Sequence, residues 1–166
     1  MWSLWSYADT SDHGESLGEH GLWFKNNLYD GALRVPLLMA GAGIPAGRVI
    51  TQPVGHVDLA ATLLALGGAS PAAGLRGQSL LPLLAVSSGD EAALSPPFVY
   101  AEMHAEGNVT GSFMIRIGRW KLIHFVWFEE QNLFFDMEND PGERRNLRGS
   151  AEPIVAAAYE RAVSTL

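Results

Sequence analysis

Residues 10–36 read T-S-D-H-G-E-S-L-G-E-H-G-L-W-F-K-N-N-L-Y-D-G-A-L-R-V-P, and most of the chain's chemistry-bearing residue types crowd into that stretch. Asp12 and His13 are adjacent, and Gly14 follows. Neighbours on an extended strand point to opposite faces, but a glycine lets the chain turn so that a carboxylate and an imidazole can meet one point. Such a pair suits a divalent cation: oxygen-rich shells take Ca²⁺ or Mg²⁺, whereas His-rich shells take zinc and other transition metals. Two residues close neither kind of shell. Taken alone, Asp-His-Gly reads more readily as a turn in which Asp12 bonds its own backbone and His13 is solvated. Lys25, further along, reads by itself as a surface lysine whose stem lies over Trp23 and Phe24.

The spacing beyond the tripeptide changes the balance. The segment resembles the sulfatase family of the alkaline-phosphatase superfamily, through T-S-D-H-G-E-x-L-G-x-H-G-x-x-x-K followed by x-R-V-P-L. The resemblance implies that Asp12 and His13 are late members of a shell holding a single Ca²⁺ or another divalent cation, completed by two aspartates from an N-terminal region. It implies that Lys25 contacts the sulfate group and the oxygen being expelled, where an ammonium would offset developing negative charge. Glu15, Glu19 and His20 share the loop, and His20 reads as a loop-holding residue. Arg34 reads as an anchor for the strand after it.

In that family the nucleophile is a formylglycine made from the Cys or Ser of C-x-P-S-R or S-x-P-S-R. Neither motif occurs here, and the chain has no cysteine. The expectation is therefore the C-terminal part of a sulfatase, with formylglycine confined to a missing N-terminal part and no turnover by these residues alone. The substrate class implied is a small-molecule sulfate ester. The alternatives are part of a phosphonate monoester hydrolase or phosphodiesterase, or a non-catalytic orphan module.

The elements that must position these groups follow from patterning. With 166 residues, 48% of them hydrophobic, the chain can bury a sizeable core, and a formal charge of −7 argues against nucleic acid and gives no basic patch for a membrane. No apolar run approaches the ~20 residues that span a bilayer. Absence of cysteine excludes disulfides and fits a cytoplasmic location, with a periplasmic one as the alternative.

Residues 1–9 alternate as a short strand with aromatics on both faces, in place of the aliphatic strand expected before T-S-D-H-G. Residues 35–40, V-P-L-L-M-A, read as a buried strand of a parallel sheet. Gly55 opens a helix with Leu59, Leu63, Leu64 and Leu66 as its apolar stripe and Gly67-Gly68 as its stop; His56 and Asp58 there read as capping and packing residues. Residues 78–84 form a short apolar segment, and 85–97 are the best internal boundary.

Strands follow at 98–102, 112–117, 120–127 and 132–137, with Gly118-Arg119 as a two-residue hairpin, Asp140-Pro141-Gly142 as a turn, and a helix over 151–166. The basic run 116–124 reads as hairpin scaffold. His104, at a strand end before the loop 105–111, is a candidate substrate contact, and Asn108-Val109-Thr110 is a glycosylation sequon by pattern. The fold class is thus α/β: the C-terminal portion of an alkaline-phosphatase-like sheet domain over 1–90, then a small antiparallel sheet with a C-terminal helix over 91–166. An exposed sheet edge and apolar face predict a homo-oligomer.

Overall fold

The computed structural model describes residues 5–70, 73–86, 94–104 and 109–166. In chain order its elements are β1 (Ser6–Thr10), β2 (Ser16–Leu17), a 3₁₀ turn (Glu19–Gly21), β3 (Trp23–Phe24), α1 (Asp30–Leu33), β4 (Leu37–Gly41), α2 (His56–Leu66), α3 (Leu81–Ala85), β5 (Val99–Met103), β6 (Ser112–Ile117), β7 (Trp120–Phe125), a second 3₁₀ turn (Glu129–Gln131), β8 (Leu133–Asp136) and α4 (Pro153–Thr165). They assemble into two compact units, Met1–Thr10 with Pro36–Pro97, and Ser11–Val35 with Phe98–Leu166. The division expected at 90/91 is contiguous; these units are not, because residues 11–35 fold with the C-terminal sheet.

In the first unit β1 pairs with β4, in the register Ser6↔Gly41 to Thr10↔Leu37. The pairing is antiparallel, which corrects the parallel strand expected at 35–40. The reason lies in the connection: the Thr10 hydroxyl donates to the Pro36 carbonyl at 2.8 Å, so β4 starts beside the end of β1 and can only run back along it. Nor is β4 fully buried, since Leu38 points outward. Trp2 and Leu4 of the expected first strand lie outside the described residues.

Helix α2 falls where the sequence puts it, and Asp58 caps it as expected. Its Oδ2 accepts the Gly55 N–H and its Oδ1 the Gln78 N–H, both at 2.9 Å, in a buried position. The stripe that is buried, however, is Asp58, Ala61 and Thr62 rather than the leucines; Leu63 is half exposed. The Thr62 hydroxyl accepts the Leu80 N–H at 2.8 Å, so residues 78–80 hydrogen-bond to the helix at two points and set which face is covered. The expected boundary at 85–97 falls largely on residues outside the described set.

The second unit is organised by a four-stranded antiparallel sheet in the order β5-β6-β7-β8. Gly118, at φ 56°, and Arg119 make the expected two-residue hairpin between Ile117 and Trp120. Period-two alternation gives the sheet two buried faces. Ile115, Leu122 and Phe134 pack under α4 against Val155 and Ala162. Met114, Ile123 and Phe135 face the other way and are covered by Leu28, with Tyr29 and Leu33 beside it. Segment 11–35 is therefore the second lid of this sheet.

After β8 the chain turns through Asp140-Pro141-Gly142, with the Glu143 N–H donating to the Asp140 carbonyl at 3.0 Å and the Arg145 N–H to the Asp140 side chain at 2.8 Å. Arg119 forks onto Asp136, its Nε donating to Oδ1 at 2.8 Å and its Nη2 to Oδ2. That fork is the main reason the Asp136 carboxyl is lowered to about 2. The basic run 116–124 is scaffold in the structure, as its pattern implies.

Candidate functional site

Asp12, His13 and Gly14 form a tight loop after β1. The His13 backbone N–H donates to Asp12 Oδ1 at 2.9 Å, and this bond is the first cause holding the exposed carboxyl below its ordinary value. The Ser11 hydroxyl donates to the His13 carbonyl at 2.7 Å. Gly14 does not take positive φ; its role differs from the turn-maker expected. Its N–H donates to the Ala32 carbonyl at 2.7 Å, and a Cβ on it would collide with the Gly31 carbonyl oxygen. The residue is glycine so that two backbones can touch.

The imidazole of His13 is oriented from behind. Its Nδ1 lies 2.8 Å from the Gly14 carbonyl oxygen, which can only accept, so Nδ1 carries the proton. In the neutral ring Nε2 then presents a lone pair, and it sits 3.5 Å from Asp12 Oδ2. A carboxylate oxygen and a ring nitrogen thus face one another at the surface, an ion pair when the ring is protonated and two lone pairs when it is neutral. Metal-binding histidines are held in this way, one nitrogen bonded to a carbonyl and the other free to coordinate. The donor set fits part of a divalent-cation shell and no more: among the described residues no group of three or more His, Cys, Asp or Glu could enclose an ion.

Lys25 stands at the end of the β2–β3 ribbon, where Ser16 pairs with Phe24 and Leu17 with Trp23. Two devices fix its backbone. Phe24 takes φ 68°, an uncommon conformation for an aromatic residue, and the Asn27 N–H donates back to the Lys25 carbonyl at 2.7 Å. Buried Asn27 holds the ribbon by donating to Ser16 Oγ at 2.9 Å and accepting the Tyr29 N–H at 3.0 Å. The Lys25 side chain is exposed and pairs with no described residue, which leaves its ammonium available to an anion.

His20 stacks on Tyr29 at 3.9 Å and 9°, closing the loop. A cavity of about 550 Å³ opens beside it, lined by His20, Asn26, Tyr29, Ser112, Phe125 and Gln131 among others, but not by Asp12, His13 or Lys25.

His104 is not brought to this segment. Its ring lies edge-on to Phe113 at 5.1 Å with Nε2 3.3 Å from Glu102, and Phe113 shares the sheet face of Ile115, the face under α4. Segment 11–35 covers the opposite face. Residues 105–108, and with them Asn108 of the sequon, lie outside the described residues.

Spacing in the sequence misses a second cluster. Lys121 is 1% exposed, with Nζ 2.7 Å from Asp30 Oδ1 and 2.6 Å from Glu143 Oε1. The detectable signal is a lysine at the inward parity of β7, alternating with Ile123 and Phe125; its partners are too distant in sequence to be found by spacing.

Residues 18–161 match the family model described as N-sulphoglucosamine sulphohydrolase, C-terminal. The chain is similar to arylsulfatase K of Mus musculus, 37% identical over 142 residues, covering 83% of this chain and 26% of that protein. It is likewise 37% identical to the choline-sulfatase of Rhizobium meliloti (strain 1021) over 156 residues, 90% of this chain and 29% of that one. Among solved structures, one in complex with its substrate D-glucosamine-2-N,6-O-disulfate matches at a TM-score of 0.82 with 30% identity, over 97% of this chain and 33% of that one. The phosphonate monoester hydrolase of Silicibacter pomeroyi matches at 0.75 with 26% identity, over 95% and 33%. The chain thus spans about a quarter to a third of the length of these relatives.

Proposed function

The chain belongs to the sulfatase family, and we propose that it contributes to the hydrolysis of small-molecule sulfate esters as the part that bears Asp12, His13 and Lys25. Asp12 and His13 would hold Ca²⁺, or another divalent cation, as two members of a larger shell. Such a cation polarises a sulfate oxygen and neutralises its charge. Lys25 would face the sulfate and stabilise negative charge on the bridging oxygen as the S–O bond breaks. Neither C-x-P-S-R nor S-x-P-S-R occurs among these 166 residues, so this reading takes its nucleophile from outside them.

One observation supports the reading above the others: the bond from His13 Nδ1 to the Gly14 carbonyl turns Nε2 toward Asp12 Oδ2 at 3.5 Å, so that one cation could be held by both. The likeness to a phosphonate monoester hydrolase at 26% identity supports phosphonate monoesters as a second reading.

Titrating Ca²⁺ and Mn²⁺ into this chain, with the His13 ring followed by NMR, tests the metal half. The expected response is confined to residues 12–14, weak at about 1 mM or above, and lost in Asp12→Asn. Silence at His13, or tight stoichiometric binding, would refute it. The catalytic half needs the chain joined to the N-terminal region of the choline-sulfatase relative. Lys25→Ala should then lower kcat on an aryl sulfate by about 10²- to 10³-fold, an unchanged rate would remove Lys25 from the site, and a preference for aryl phosphonates would select the second reading.

A further inference from the structure

The buried charges of the second unit have no place in the chemistry above, yet they reach toward it. Asp30 begins α1, a single turn over Asp30–Leu33 that is too short to persist without tertiary support. That support grips Asp30 twice. Lys121 Nζ holds its carboxylate at 2.7 Å, and Glu143 Oε2 accepts its backbone N–H at 2.7 Å. Glu143, at φ 54°, closes the triangle through Oε1, an ion pair 2.6 Å from the same ammonium that lacks a hydrogen bond's angle. Arg116, paired with Lys121 across β6 and β7, adds a second positive charge within electrostatic reach of Asp30 and Glu143.

From α1 the connection runs to the candidate site in two short steps. The Ala32 carbonyl accepts the Gly14 N–H at 2.7 Å, and the Gly14 carbonyl fixes His13 Nδ1 at 2.8 Å. Stability alone does not account for such a cluster. Its neighbours on the same face of β7 are Ile123 and Phe125, and a buried ion group is commonly no more stable than an apolar set of equal volume. What charges add is a defined geometry.

We propose that Lys121, Asp30 and Glu143 are positioning residues, an ionic tether that fixes α1 to the sheet and, through Gly14, sets the orientation of the Asp12-His13 pair. That the pair is a metal site rests on the function proposed above; the tether itself does not.

Amide hydrogen exchange on the whole chain tests it through the ratio of Gly14 protection to Leu122 protection. In Lys121→Met the ratio should fall about tenfold or more, because Gly14 is released locally while β7 opens only with the unit. Val155→Ala, which weakens the same unit from under α4, should lower both protections together and leave the ratio alone. Glu143→Gln keeps the size and an acceptor, and should give a smaller fall in the same direction, so it serves if Lys121→Met does not fold. Equal ratios in wild type, Glu143→Gln and any folded Lys121→Met would overturn the tether. A wild-type chain whose His13 ignores Ca²⁺ would overturn the metal reading and leave this result to stand or fall by itself.

Discussion

Consider Gly14→Ala and Gly31→Ala, the same change on the two sides of one backbone contact. At Gly14 the new methyl would enter the Gly31 carbonyl, with the carbonyl carbon at 3.2 Å and the Ala32 oxygen at 3.4 Å behind it. These are backbone atoms of a tethered turn, so relief requires α1 to move, at about 1–3 kcal/mol for overpacking. The movement also breaks the 2.7 Å bond from Gly14 to Ala32, a further loss of about 1 kcal/mol. The total is about 2–4 kcal/mol. At Gly31 the nearest atoms, the Glu15 oxygen and Ser16 Oγ, stand 3.6 Å away, which is ordinary contact. Alanine there gains helix propensity worth about 0.5–1 kcal/mol. Neither glycine takes positive φ, so backbone strain enters neither estimate. Urea unfolding followed at the amides of β6 and β7 isolates the second unit. With m about 2 kcal/mol/M, Gly14→Ala should lower the midpoint by about 1–2 M and Gly31→Ala should raise it by less than about 0.5 M. Midpoints that move together would show that the contact is not where the glycine requirement comes from.

Asn27→Ala strands buried Ser16 Oγ and the Tyr29 N–H, and should cost about 1–3 kcal/mol while speeding amide exchange at residues 23–27; unchanged exchange there would separate Lys25 from the ribbon's anchor. The Asp136 carboxyl has its folded pKa depressed from 3.8 to about 2, so its contribution is fully present above about pH 4 and is lost as pH falls through about 2. At neutral pH that contribution is about 2 kcal/mol, and Asp136→Asn should flatten the stability profile across this acid window; a wild-type profile with no slope there would contradict the Arg119 fork as its source.

Much of the second unit was legible in the chain because its signals are local. Period-two alternation from Ser112 to Ile117 reads as a strand, Gly118-Arg119 as its hairpin, and Asp140-Pro141-Gly142 as a turn. Asp58 as a cap follows from its place in the first turn of α2. The direction of β4 was not legible, because an apolar hexapeptide says nothing about where the chain enters beside its neighbour; the Thr10 to Pro36 bond decides that. The face on which His104 lies was not legible for a related reason. A strand end looks the same from either side, and only the contact with Phe113 fixes the face. Lys121, Asp30 and Glu143 were illegible as a group because burial joins them across the fold, not along the sequence.

Residues 11–35 complete the sheet built by residues 98–136, even though sixty-odd positions of the first unit intervene between the two stretches. Anyone exchanging modules between relatives therefore cannot cut at the Pro-containing boundary and move the C-terminal piece alone. The donor sheet would arrive with a lid cut to another sheet's shape, and Lys121 and Glu143 would meet a foreign residue where Asp30 should be. The transplantable part is two strips taken together.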